Sequence, residues 1–155
     1  MENSKASVLI KLTNSIYRCT QMYVDKKLKK FNLTTGTYPY ILVLKRREGI
    51  NQNELSRELN VDKSLCSRTI KRLIGLNYIR MEENKEDIRA HKLYITNKAE
   101  DVMPKIVKII QEWIHILVQG TDEQEIAISI EFLERVLKNG TIYREKYCER
   151  MKKIE

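Results

Sequence analysis

Gly49-Ile-Asn-Gln-Asn-Glu-Leu-Ser-Arg-Glu-Leu-Asn-Val-Asp-Lys-Ser-Leu-Cys-Ser-Arg-Thr-Ile-Lys-Arg-Leu73 is the stretch on which the fold turns. Residues 51–59 read as a brief helix with Leu55 and Leu59 on one face. Asp62 then offers an N-cap carboxylate to a second short helix, 63 to about 76. Cys66, Ile70 and Leu73 recur there at four- and three-residue steps and form its inward stripe. Over residues 63–72 the same helix carries Lys63, Arg68, Lys71 and Arg72 with no acid among them, and Ser64, Ser67 and Thr69 add hydroxyls. A slim helix, basic on one face and paired with another across a tight turn, suits a major groove about 12 Å wide. The competing reading is a solvated helix face that binds nothing.

Downstream, Asn77 stands where the chain must reverse, and Asn tolerates the left-handed conformation. The period then changes. Residues 78–81 and 92–96 alternate β-branched or aromatic with polar side chains and predict two strands. The polar run 82–91 between them predicts a hairpin tip. Thr96 caps a further helix with the stripe Val102, Ile106, Ile109, Trp113 and Ile116/Leu117, ended by Gly120. A last helix starts at Thr121 or Asp122 and repeats Ile126, Ile130, Leu133 and Leu137 at 4-3-4 spacing.

Upstream, residues 5–31 place Leu9, Leu12, Ile16, Cys19, Tyr23, Leu28 and Phe31 at three- and four-residue steps, a long amphipathic helix. Residues 32–39 supply turn chemistry and a Pro suited to a helix start. A short apolar helix around residues 40–44 follows, with Gly49 as its C′ residue. The fold class is therefore mostly α with a small β-hairpin wing: a winged helix-turn-helix flanked by long helices.

At 155 residues the chain fits one domain and can bury a core without disulfides or metal. Its three cysteines, Cys19, Cys66 and Cys148, are far apart and form no CxxC, and its two histidines have no partner at i+4. No metal or cofactor is expected. Cys19 and Cys66 read as small apolar core residues. No apolar run approaches 18 residues and no signal-peptide core is present, so the cytoplasm is the expected compartment and a membrane is not a partner. The formal charge is +8, and residues 1–50 hold ten Lys/Arg against three Asp/Glu. That balance favours a polyanionic partner, although solubility explains it as well. The lysines at 26, 27, 29 and 30 are most of the N-terminal excess; they steer DNA or offset a helix dipole. An enzyme has little support: there is no phosphate-binding Gly loop, nucleophile elbow or His–acid pair at useful spacing.

The middle of the chain resembles the MarR-type transcriptional regulators. The helix pair carries the likeness, and so do Asp87-Ile-Arg89 and Leu93-Tyr-Ile-Thr96, which match the family's wing signature with Ile95 in place of the second Leu. Resemblance is strongest over residues 36–99. It implies one MarR-like domain over 1–155, with a DNA-binding lobe at 36–97 and a helical dimerisation lobe from 5–31 and 98–150. Lys63, Ser64, Ser67, Arg68 and Arg72 become DNA contacts, with Lys71 on the same basic run. Arg89 reaches a minor groove and is held by Asp87. Ile88 replaces a frequent second Arg, for which Lys85 compensates. The implied partners are double-stranded DNA, a second copy of the chain and a small aromatic effector, the last near Tyr17, Tyr38 and Tyr40, with His115 lining the cavity. The implied function is a homodimeric, sequence-specific regulator, a repressor of a pseudo-palindromic operator, relieved by a small molecule. The alternative is a winged-helix module for protein contact, or a non-specific DNA binder. The acid-free run 63–72 favours DNA, since a protein-docking face would show apolar anchors.

Overall fold

A computed structural model describes the backbone of residues 5–83 and 91–151 and the side chains of 7–83 and 91–147. The helices are α1 (Lys5–Leu28, extended by a 3-10 turn Lys29–Phe31), α2 (Tyr38–Arg46), α3 (Gln52–Glu58), α4 (Lys63–Gly75), α5 (Asn97–Leu117) and α6 (Glu123–Met151). Two strands, β1 (Ile79–Glu82) and β2 (Lys92–Ile95), pair antiparallel in the register Ile79↔Ile95 to Glu82↔Lys92. The molecule is mostly helical with a β-hairpin wing. It divides into two compact units, residues 1–114 and 115–155.

Local chemistry explains the boundaries. Pro39 enters α2 in its first turn, where a missing N–H is harmless. Asn51 caps α3 in a reciprocal box, accepting from the Glu54 N–H at 3.0 Å while Glu54 accepts the Asn51 N–H at 2.9 Å. Asn77 takes the left-handed conformation (φ 59°) that turns the chain from α4 into β1. Gly49, at φ 76°, is required twice over, because a Cβ there would also stand 3.2 Å from the Tyr94 hydroxyl. Its N–H donates to the Leu93 carbonyl, and the Leu93 N–H donates to that of Ile50, so residues 49–50 line the outer edge of the hairpin. Thr96 accepts the Ala99 N–H at the start of α5.

The core of the first unit forms where α1, α2, α4, α5 and the wing meet. Leu28, Ile41, Leu44, Leu73 and Ile106 are fully buried there. Tyr78 directly precedes β1 rather than belonging to it. It is buried, donates its hydroxyl to the Phe31 carbonyl at 2.8 Å and lies under the Lys98 ammonium. Trp113 stacks on Tyr23 (centroids 4.8 Å apart) and donates its indole N–H to the Thr20 hydroxyl at 2.9 Å. That contact ties α5 to α1.

The stripe expected along α1 divides. Val24 and Leu28 are buried, whereas Leu12, Ile16 and Cys19 are exposed. The expectation that Cys19 packs in the core is therefore corrected: its side chain is exposed. On α5, Val102, Ile106 and Ile109 are buried, while Ile116 and Leu117 are exposed. On α6, Ile130, Leu133 and Leu137 are exposed as well. Among the described residues no helix is long and apolar enough to cross a membrane, and no cluster of potential metal ligands occurs.

Candidate nucleic-acid interface

Helix α4 is seated by one face and free on the other. Cys66, Thr69, Ile70 and Leu73 are buried. At 3.6 residues per turn the opposite line runs through Ser64, Arg68 and Lys71, all exposed. Lys63 and Ser67 fall on the edge beside Ile70, whose side chain lines a cavity of about 240 Å³ with Met81 and Leu93 of the wing. Leu65 and Arg72 fall on the other edge, exposed too. Of the six residues expected on this helix, five are exposed and Ser67 is half-buried.

Polar contacts hold the helix in place. The Asp62 carboxylate accepts the Leu65 N–H and the Ser64 hydroxyl, each at 2.7 Å. These contacts, the Leu65 N–H first, hold the Asp62 carboxyl below the usual carboxylate range, so the cap is intact at neutral pH and weakens only as acid protonates it. The Ser64 proton is committed to Asp62, which leaves that hydroxyl only acceptor lone pairs to offer outward. The Gln52 amide donates to the Lys63 carbonyl at 3.3 Å, and the Cys66 thiol points at the Gln52 carbonyl at 3.7 Å. Both tie α3 to α4. Burial pushes the Cys66 thiol up in pKa, which keeps it neutral and inert.

Among the described residues, Lys63, Arg68, Lys71 and Arg72 make no ion pair. Four cations elsewhere in the lobe are paired: Arg46 and Arg47 with Glu58, Lys45 with Glu100 at 2.6 Å, and Arg80 with Glu82. The Arg80 guanidinium also lies over the Tyr94 ring, 4.5 Å from its centroid. A surface whose cations are left without carboxylates presents its full charge to an incoming polyanion.

Lys85, Asp87 and Arg89 lie outside the described residues. Tyr17 is exposed and its hydroxyl accepts from the Gln21 amide. Tyr38 is half-buried. Tyr40 is buried, and its hydroxyl faces Cys66 and Thr69 of α4. His115 is exposed in the second unit. Tyr40 thus packs under α4 as a core residue. Two features went unread in the sequence, the Asn51 box and the exposure of Leu65. The Asn-x-x-Glu spacing signals the first. A helical wheel drawn through Cys66, Ile70 and Leu73 would have found the second.

A model of the MarR family matches residues 31–90, which span α2, α3, α4 and the first strand. The HTH-type transcriptional regulator BilQ of Clostridioides difficile (strain CD3) is 37% identical over 93 residues, 60% of this chain and 63% of its own length. The chain thus spans less than two thirds of that relative. A MarR transcriptional regulator from Methanosarcina mazei Go1 is 30% identical, with a TM-score of 0.77, over 86% of this chain and 96% of its own. A Listeria monocytogenes protein assigned to the MarR regulators, solved in complex with a 26mer DNA, is 25% identical with a TM-score of 0.81, over 88% and 93% of the two chains. These relatives are named as transcriptional regulators, not as enzymes. With 30% identity and a TM-score of 0.77 across nearly the whole of a solved regulator, the chain belongs to the MarR family.

Proposed function

We propose that the protein is a cytoplasmic DNA-binding transcriptional regulator that acts as a homodimer. The observation that carries this reading is the set of four cations, Lys63, Arg68, Lys71 and Arg72, which make no ion pair among the described residues and stand on the free side of a capped helix. Two copies set their α4 helices into successive major grooves about 34 Å apart, on a pseudo-palindromic site. The complex of the Listeria relative with a 26mer DNA supports DNA as the partner. In the same proposal Arg89, held by Asp87 and assisted by Lys85, enters the minor groove, where a narrow groove attracts Arg. The protein represses, and a small aromatic effector releases it. The family resemblance alone supports repression and release.

The test is to pull down sheared genomic DNA with the purified protein at near-physiological salt and sequence the bound fragments. A few enriched sites sharing a short inverted repeat are expected. Uniform recovery would mark a non-specific binder, and no recovery at low salt would favour protein docking. On an enriched site, Arg68→Ala should weaken binding by about 1–3 kcal/mol if Arg68 reads a base. Titration of a labelled duplex measures this; unchanged affinity would remove Arg68 from the contact set.

A further inference from the structure

We propose that Leu65 is a specificity-determining residue that reads the 5-methyl group of a thymine in the major groove. The proposal rests on the DNA-binding reading above and goes beyond it to one base contact. Between Met22 and Val107, Leu65 and Met81 are the only large hydrophobic side chains exposed among the described residues. Leu65 is 42% exposed in the first turn of α4. N-terminal residues of a recognition helix are the ones that reach base edges. Arg72 follows it along the same edge two turns on, and Arg68 stands one turn on toward the outward line, both exposed and without ion pairs among the described residues. A duplex held by these cations brings its base edges against the first turn.

The local geometry fixes where Leu65 can point. Its N–H is bound by the Asp62 carboxylate at 2.7 Å, so the backbone under the side chain is anchored. The adjacent Ser64 hydroxyl, donating to the same carboxylate, offers only acceptor capacity. The first turn therefore presents an apolar group beside a hydrogen-bond acceptor. In the major groove the complementary pattern is an A·T pair, which shows a C5-methyl on thymine and an amino group on adenine. A G·C pair has no methyl to meet Leu65. An exposed leucine left against water gains nothing there, whereas burying one methyl against it is worth about a fourfold change in affinity per half-site.

The experiment uses the full chain and a duplex enriched in the genomic pull-down. Each thymine is replaced in turn by deoxyuridine, which deletes only the methyl group. The wild-type protein is expected to lose about fourfold in affinity at one position and at its symmetry mate. Leu65→Ala and Leu65→Gln should bind the thymine and uracil duplexes equally at that position while keeping any methyl dependence elsewhere. The proposal is overturned if both variants keep the full methyl dependence at every position, or if no single methyl matters to the wild type. The wild-type series requires no variant to fold. Absence of any enriched duplex would instead remove the DNA-reading function itself, and this role with it.

Discussion

Replacing Leu133 and Leu137 together by glutamate is expected to leave α6 helical, convert the protein to a monomer and weaken operator binding by about a hundredfold or more. The apolar surface of α6 is too wide for a helix that faces water. Ile128, Ile130, Phe132, Leu133, Val136, Leu137, Tyr143 and Tyr147 are all exposed. At 3.6 residues per turn they sweep roughly 200° of the circumference. Soluble chains rarely leave such a surface bare, and a second copy is the occupant that a symmetric regulator supplies. Glutamate is a good helix former, so helix propensity should survive the exchange. A buried interface cannot accept four uncompensated carboxylates, two from each copy. Each monomer would then bind one half-site alone and lose the effective concentration its partner provides. Sedimentation equilibrium and a duplex titration measure both effects. A double variant that remains dimeric would show that α6 is not the dimer contact.

Leu73→Ala should destabilise the fold by about 2–5 kcal/mol, the range for truncating a well-packed leucine. Leu73 is fully buried at the point where α4 turns into the wing, and its carbonyl accepts the Tyr78 N–H at 2.9 Å. The cavity would open under the recognition helix itself. The expected fall in melting temperature is about 2–4 °C for each kcal/mol in a chain of this size. Urea unfolding at fixed protein concentration measures the change, since the proposed association of two copies would also contribute to stability. A loss below about 1 kcal/mol would mean that the site collapses around the smaller side chain.

Much of this architecture is legible residue by residue. The Asp62 cap, the inward line Cys66–Ile70–Leu73, the left-handed Asn77, the change of period at the wing and the Thr96 cap all follow from neighbours within about four positions. The basic run on α4 is legible for the same reason. One residue is harder: Tyr78 has the alternation of a strand, yet it lies just outside β1. A hydroxyl bond to Phe31, 47 positions earlier in the chain, draws its side chain inward.

Cys19 and Leu65 show the limit from opposite sides. Periodicity marks the stripe on α1 as a face to be covered, but it cannot say what covers it. The chain covers Val24 and Leu28 and leaves Leu12, Ile16 and Cys19 to the solvent. Composition marks Leu65 as apolar, yet its position on α4 turns it outward. Charges behave similarly: Arg46 and Arg68 are both arginines in basic runs, but among the described residues only Arg46 forms an ion pair, with Glu58. The sequence by itself therefore determined the elements, their ends and the basic recognition helix, because those depend on local backbone chemistry. Tertiary structure alone decided which cations meet a carboxylate and which apolar faces the chain leaves exposed. Each of those depends on groups that only folding brings within a few ångströms.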